Sequence, residues 1–401
     1  MSDVPNEPAV DRPPVAADFA PLTGKERLKA LAGEWRAYTI LFALALIWIF
    51  FHFLTGGVFL SARNFSNLML QTSVTGVLAV GMLMVIVTGQ IDLSVGSVVG
   101  LTGGISAIVL TWLGWGFVPS LLAAILVGLA IGLFHGFLTA YLSIPAFIVT
   151  LGGLLAWRGA ILGTSEGQTI PIASQVYRSI GQCFVAPYVG WLLAVASVLT
   201  VAWFVIRRSR ARANHGLEAF SWTTISWQIA APALAILVFV YALNSYAGIP
   251  IPVMILLVVA LGGVIVTQNT TFGRYLYAIG GNPDAARLSG ISLRKHILVV
   301  FGLMGTLAGV ASIIYTARVA SASPDAGTLL ELDAIAACVI GGTSLMGGRG
   351  TVFGAIVGAL IMASLDNGMS LKSVEPYVQY LVKGAVLVTA VGFDMISRRR
   401  G

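Results

Sequence analysis

The run Ile40-Leu-Phe-Ala-Leu-Ala-Leu-Ile-Trp-Ile-Phe-Phe-His-Phe-Leu54 carries one polar side chain, His52, and lies inside a longer apolar stretch from Tyr38 to Leu60. A helix needs about 20 predominantly apolar residues to cross a bilayer, whereas a membrane β-strand alternates in polarity over about ten. This stretch does not alternate, so it reads as a membrane helix. Eleven more runs of the same kind follow: Leu68–Thr88, Leu93–Leu113, Val118–Leu142, Pro145–Gly163, Tyr188–Ile206, Trp227–Tyr246, Ile251–Thr267, Ile297–Ala317, Leu332–Leu345, Thr351–Leu365 and Tyr377–Phe393. Leu332–Leu345 and Thr351–Leu365 are short for a full crossing and read as broken helices.

Composition points the same way. Of 401 residues, 57% are hydrophobic and only 10% charged, against about 25% charged in an ordinary soluble domain; mean hydropathy is +0.92. Too few charges are present to cover a soluble fold. The expected class is an all-α polytopic membrane protein with about twelve transmembrane helices, and the 46 glycines suit close helix packing in lipid. Two cysteines, Cys183 and Cys338, make no disulfide framework, and Cys338, inside an apolar run, reads as a packed small residue. Residues 1–37 are polar and proline-bearing, without the apolar core and cleavage site of an export signal. They read as a disordered cytoplasmic tail before a transmembrane region at 38–397, with a second short tail at 398–401.

Charge sets the orientation, because positive loops stay cytoplasmic. With the N-terminus inside and twelve crossings, the inner segments hold Arg12, Lys25, Arg27, Lys29 and Arg36, then Arg207, Arg208, Arg210 and Arg212 in a basic loop at 207–226. They also hold Arg274, Arg287, Arg294, Lys295, Arg349 and the final Arg398, Arg399 and Arg400. Only Arg63, Arg178, Arg318 and Lys372 fall outside, so both termini are expected in the cytoplasm. The net charge of +7 is thus an orientation signal. Split among short loops without an aromatic platform, it does not point to nucleic acid.

Enzyme signatures are missing. No Gly-x-x-x-x-Gly-Lys-[Ser/Thr] loop occurs, so no ATP hydrolysis is expected of this chain, and the four histidines lack metal-ligand spacing. His52 and His135, within spans, read as hydrogen-bonded packing residues. Arg158 and Lys383 lie toward the outer ends of their spans and are expected to snorkel. Asp92 and Asp366 sit at span ends and leave no deep carboxylate for an ion-driven carrier.

Polar residues at membrane depth default to function. In Thr88-Gly-Gln-Ile-Asp-Leu-Ser-Val-Gly96, the side chains of Gln90, Asp92 and Ser94 alternate with apolar ones at a break between two spans. The block reads equally as a polar break lining a translocation path and as a short loop whose Asp92 or Ser94 caps the next helix. Gly96, Gly100 and Gly104 recur in spacing as Gly350, Gly354 and Gly358. Two readings stand: tight helix contacts made by small residues, or a repeated transporter half with interrupted helices.

The segment Phe272–Ile291 is cytoplasmic and reads as a short capped helix. Asn282 suits the cap and Pro283 the first helical position. Asp284 complements the helix dipole, and Gly290 supplies a left-handed stop. It fits either docking into a partner's groove or a plain connector.

That segment, Gly89–Ser97 (GQIDLSVGS) and Glu331–Ala359 (ELDAIAACVIGGTSLMGGRGTVFGAIVGA) together resemble the membrane permease subunits of bacterial ABC importers for monosaccharides, from about residue 35 to the C-terminus. A ten-helix core is usual there, and the added stretch at about 182–246 is most similar to the xylose-type permeases. The resemblance implies a multi-pass protein of the bacterial inner membrane, a homodimer surrounded by lipid, that carries a sugar by alternating access. Partners would be a cytoplasmic ATPase, which would bind the ATP and Mg, and an extracytoplasmic sugar-binding protein; no cofactor would bind this chain. Gly280, Gly281, Asn282, Pro283, Asp284, Ala285, Ala286, Arg287, Leu288, Ser289 and Gly290 match the ATPase-coupling segment, within 270–296. Gln90, Asp92, Leu93 and Ser94 match the block near the path. Pro324, Asp325 and Glu331 fall where a binding protein would dock. The alternatives are an ion-coupled secondary sugar carrier and a membrane scaffold that transports nothing.

Overall fold

The structure, a computed structural model, describes residues 24–214 and 220–399. The described residues divide into two units between Thr39 and Ile40. In chain order the elements are α1 (Gly24–Leu54), α2 (Ala62–Val87), α3 (Val95–Ala107, continued by a wide π-type turn at Ile108–Trp112), α4 (Phe117–Ala140) and α5 (Ala146–Thr164). Then come β1 (Ile170–Pro171), α6 (Gln175–Gln182), β2 (Phe184–Val185), α7 (Pro187–Asn214), α8 (Trp222–Asn244), β3 (Ile249–Pro250) and α9 (Ile251–Val264, continued by a π-type turn at Ile265–Asn269). The last part holds α10 (Thr271–Gly281), α11 (Pro283–Leu288), α12 (Leu293–Val319), β4 (Ser321–Ala322), α13 (Leu330–Ile340), α14 (Val352–Leu371) and α15 (Pro376–Arg399). The two-residue strands pair antiparallel, β1 with β4 and β2 with β3.

Among the described residues, nine helices are long and apolar enough to cross a membrane: α2 to α5, α7 to α9, α12 and α14, counting the π-type turns of α3 and α9. The architecture is a polytopic helical array. The helix α2 is its axis, buried on nearly every face. Val77, Leu78, Met82 and Leu83 pack there against Phe301 and Met304 of α12 and Ala334 and Ala337 of α13. Cys338 is buried in this layer, its thiol donating to the Ala79 carbonyl at 3.3 Å. At the far end of α12, Tyr177 of α6 is fully buried and shares a 2.9 Å hydrogen bond with Ser106; burial pushes its phenol up to about 12.

Several boundaries differ from those read in the sequence. The first helix is already helical at Gly24, within the stretch assigned to the tail, whereas residues 1–23 and 400–401 lie outside the described residues. Arg207, Arg208, Arg210 and Arg212 belong to the last turns of α7 and not to a loop. Arginine is a good helix former, and Arg207 gains the Trp203 ring at 5.0 Å and Arg212 the Phe220 ring at 4.7 Å. The second helix expected to be broken, α14, runs unbroken for 20 residues. Its polar pair is partnered, Asn367 by the Asn64 amide at 2.8 Å and Asp366 by Lys383 at 2.9 Å, so nothing forces the helix to stop. The other, α13, is short at 11 residues.

Candidate functional site

The three motif blocks, far apart in the chain, meet at one end of the array. Thr270 caps α10, its hydroxyl accepting the Gly273 N–H at 3.1 Å, and α10 carries the chain to Gly280. A methyl group on Gly280 would overlap the Val87 carbonyl at the end of α2 and press on the Gly348 amide; only glycine permits that approach. Gly348 itself donates to Val87 O at 2.9 Å. Tyr277 donates its hydroxyl to Gly350 O at 2.8 Å, and burial pushes its phenol up, keeping it a donor. The end of α10, the break after α2 and the loop before α14 are therefore keyed together.

Beyond this joint the chain turns outward. Asn282, extended at φ −155°, ends α10 and caps α11 by accepting the Ala285 N–H at 3.0 Å. Pro283 takes the first turn, and Gly290 stops the helix at φ +80°. From Gly281 to Gly290 only Ala286 is buried; Asp284, Ala285, Arg287 and Ser289 are exposed, and Leu288 is 90% exposed. The chain thus passes from a keyed helix into a projecting tip whose side chains, Leu288 among them, are open to the surroundings.

Asp92, Ser94, His135 and Trp157 form one hydrogen-bonded chain. Asp92 Oδ1 accepts the Ser94 N–H at 2.9 Å and its hydroxyl at 2.6 Å. Ser94 Oγ lies 3.3 Å from His135 Nδ1, and Trp157 Nε1 donates to His135 Nε2 at 3.0 Å. Trp157 can only donate, so Nε2 is the acceptor and His135 is neutral with its proton on Nδ1. The network leaves no void large enough for a water. Gln90 is half-buried beside it.

The two glycine triplets clasp one strip of chain. A methyl on Gly96 would overlap the Glu331 carboxylate and the Gly327 carbonyl, and Gly100 faces Ala326 O. On the other side Gly354 lies on the Gly341 backbone and Gly358 on that of Ala337, while Gly104 meets the Ile161 side chain. Gly350 precedes α14 and holds Tyr277. The strip of about fifteen residues from Ala326 to Gly341 is thus gripped from both sides. Just before it Pro324 is fixed by Arg158, whose Nη1 donates to Pro324 O and to Ala326 O, the latter at 2.9 Å. Pro324 and Glu331 are buried, and Asp325 is exposed. Arg158 is occupied by these carbonyls and does not snorkel.

Lys383 does not snorkel either. Its ammonium lies 3.0 Å from Asp333 Oδ2 and 2.9 Å from Asp366 Oδ2, bridging α13, α14 and α15. Sequence reasoning missed this cluster. The signal was present: a lysine in the last apolar run needs a partner, and Asp333 and Asp366 flank the two preceding spans. Among the described residues no group of His, Cys, Asp and Glu could hold a metal ion.

Nine apolar helices of crossing length among the described residues, with a keyed, projecting loop helix, make a multi-pass membrane permease the class to compare. The chain belongs to the permease family described as branched-chain amino acid transport system / permease component, which it matches over residues 64–211 and 216–391. It is 44% identical over 377 residues to the xylose transport system permease protein XylH of Escherichia coli K12, covering 94% of this chain and 95% of that one. To XylH of Haemophilus influenzae it is 46% identical over 366 residues, 91% and 97% of the two chains. The ribose import permease protein RbsC of Escherichia coli K12 is 35% identical over 336 residues, 84% and 87%. No solved structure matches the chain at a significant level.

Proposed function

We propose that this chain is the transmembrane permease subunit of an ATP-driven importer of a monosaccharide, D-xylose first among them, in a bacterial inner membrane. The observation that carries the reading is the joint at Gly280: the exposed α11 is keyed through α10 to the end of α2 and to the loop between α13 and α14. Motion imposed on α11 from outside therefore reaches the two interrupted regions of the array. High identity to two xylose permeases supports the substrate.

In this reading the chain crosses twelve times, with α13 and the extended stretch before it making one crossing, and both termini are cytoplasmic. That puts α10 and α11 on the cytoplasmic side, where a separate ATPase subunit binds ATP and Mg and takes α11 into a groove. Two copies of the permease form the path. The extracytoplasmic sugar-binding protein meets the opposite end, where Asp325 is the exposed member of the docking positions. Gln90, Asp92 and Ser94 stiffen the break that carries movement into α3. No cofactor is bound by this chain.

The test is purification of the tagged protein in mild detergent, identification of what accompanies it, and ATP-dependent xylose uptake by the complex. A co-purifying ATPase is expected. Because Ala286 is buried, the disruptive variant is Asp284→Arg with Leu288→Asp; it should release the ATPase and abolish uptake while the permease stays folded, and unimpaired uptake would refute the docking role. One observation favours a competing reading, since Asp333 and Asp366 are carboxylates at membrane depth. An ion-coupled carrier would take up sugar with this chain alone.

A further inference from the structure

The helix α13 is half a crossing. Its 11 residues rise about 16 Å at about 1.5 Å each, against a hydrocarbon core of about 30 Å, and the remainder is non-helical backbone up to Leu329. Leu329 sits at a left-handed φ of +66°, and no side chain caps the helix that starts there. At this break lies a cavity of about 310 Å³ between α13, α14 and α15, with Thr328, Asp333, Tyr380 and Lys383 among its lining and Leu332 on its apolar wall.

Asp333 is 3% exposed. Its Oδ2 receives Lys383, but its Oδ1, equally buried, has no hydrogen-bond partner among the described residues. An unmet buried acceptor costs about 1–3 kcal/mol, more for a charged group, and native structures keep few of them. Lys383 spends two of its three N–H groups on Asp333 and Asp366. Three features thus coincide: a space at the lower end of the range of about 300–1,000 Å³ for small-molecule sites, an idle acceptor, and a donor with capacity left. Ionisable residues in a membrane mark solute pathways, and interrupted helices place such sites near midplane.

The chemistry selects the solute. A sugar hydroxyl both donates and accepts, so it satisfies Asp333 and Lys383 together, while the apolar wall suits the C–H faces of the ring. Two carboxylates against one ammonium leave the site net negative when both are ionised, which repels sugar acids and sugar phosphates. We propose that the cavity at the start of α13 holds a neutral monosaccharide in transit, with Asp333 accepting from its hydroxyls and Lys383 donating to them. This rests on the permease reading above and locates within the chain the point at which the sugar is held.

The test reads occupancy apart from transport. In a Cys183→Ser background, which removes the exposed thiol and leaves Cys338 buried, Leu332→Cys reports on the cavity wall by its rate of reaction with a small neutral thiol reagent. The protein is used in its complete complex in proteoliposomes. D-xylose should slow labelling threefold or more, D-glucuronate should not, and Asp333→Asn should remove the protection without changing the elution of the complex on gel filtration. Should Asp333→Asn fail to assemble, Lys383→Arg, which keeps the charge and shifts the donor, should weaken the protection by xylose. Labelling unaffected by xylose in a complex that performs ATP-dependent xylose uptake overturns the site and leaves the permease reading standing. Equal protection by D-glucuronate overturns the assigned chemistry. A complete complex that takes up no sugar at all overturns the permease reading, and this inference falls with it.

Discussion

Two buried polar clusters lie at breaks in the helical array, and they differ in what is left over. Around Asp92 one carboxylate oxygen takes both the amide and the hydroxyl of Ser94, and the chain continues through His135 to Trp157 with no room for a water inside it. Around Asp333 the ion pairs are good, yet an oxygen stays unmet beside a cavity of about 310 Å³. In the sequence only the Asp92 block stands out as polar and intramembrane. A hydrogen-bonded chain with no room for a water fixes a joint, whereas an idle acceptor beside a cavity is available to a ligand.

Lys383→Met puts this contrast under the greatest strain. Two carboxylates would lose the cation between them, and breaking such a buried pair costs about 3–5 kcal/mol; thermal unfolding in detergent should show it. The triple variant Lys383→Met, Asp333→Asn, Asp366→Asn, with no charge left to bury, should regain most of the loss. A single variant that melts like wild type would mean that the cluster is hydrated, and the contrast with Asp92 would disappear.

Asp92→Ala is expected to act less severely, at about 1–3 kcal/mol, because it strands the amide and hydroxyl of Ser94. The maximal uptake rate per folded molecule should fall because the break is loosened, with the KM for xylose unchanged. A raised KM for xylose would make the Asp92 cluster a solute site after all. The smallest effect belongs to Trp157→Phe, which removes the donor to His135 Nε2 at about 0.5–1.5 kcal/mol. Histidine resonances should then report a change of tautomer or of hydrogen bonding at His135; unchanged resonances would show that the bond is not made.

Much of the fold was legible because apolar runs in lipid are long and continuous, and the capped helix at Asn282 followed from short-range rules. What could not be read were pairings across the chain. Arg158 and Lys383 look like snorkelling residues when each helix is taken alone, because nothing local reveals that Ala326 O or Asp333 waits on another helix. The end of α14 was misjudged for the same reason: Asp366 and Asn367 resemble a helix exit until Lys383 and Asn64 are brought against them. Burial of Glu331 was hidden too, since it depends on the flat glycine face of α3.

That face has a mechanical consequence. The strip from Ala326 to Gly341 is gripped by α3 and α14 largely backbone to backbone at Gly96, Gly100, Gly354 and Gly358. Ordinary helix contacts interlock side chains as ridges in grooves, and sliding one past the other means lifting every ridge. A smooth track has no teeth to disengage, so what holds the strip against sliding is its pins, Arg158 on Ala326 O and Lys383 on Asp333, and not the rails. A single methyl group anywhere on the rails would act as a wheel chock.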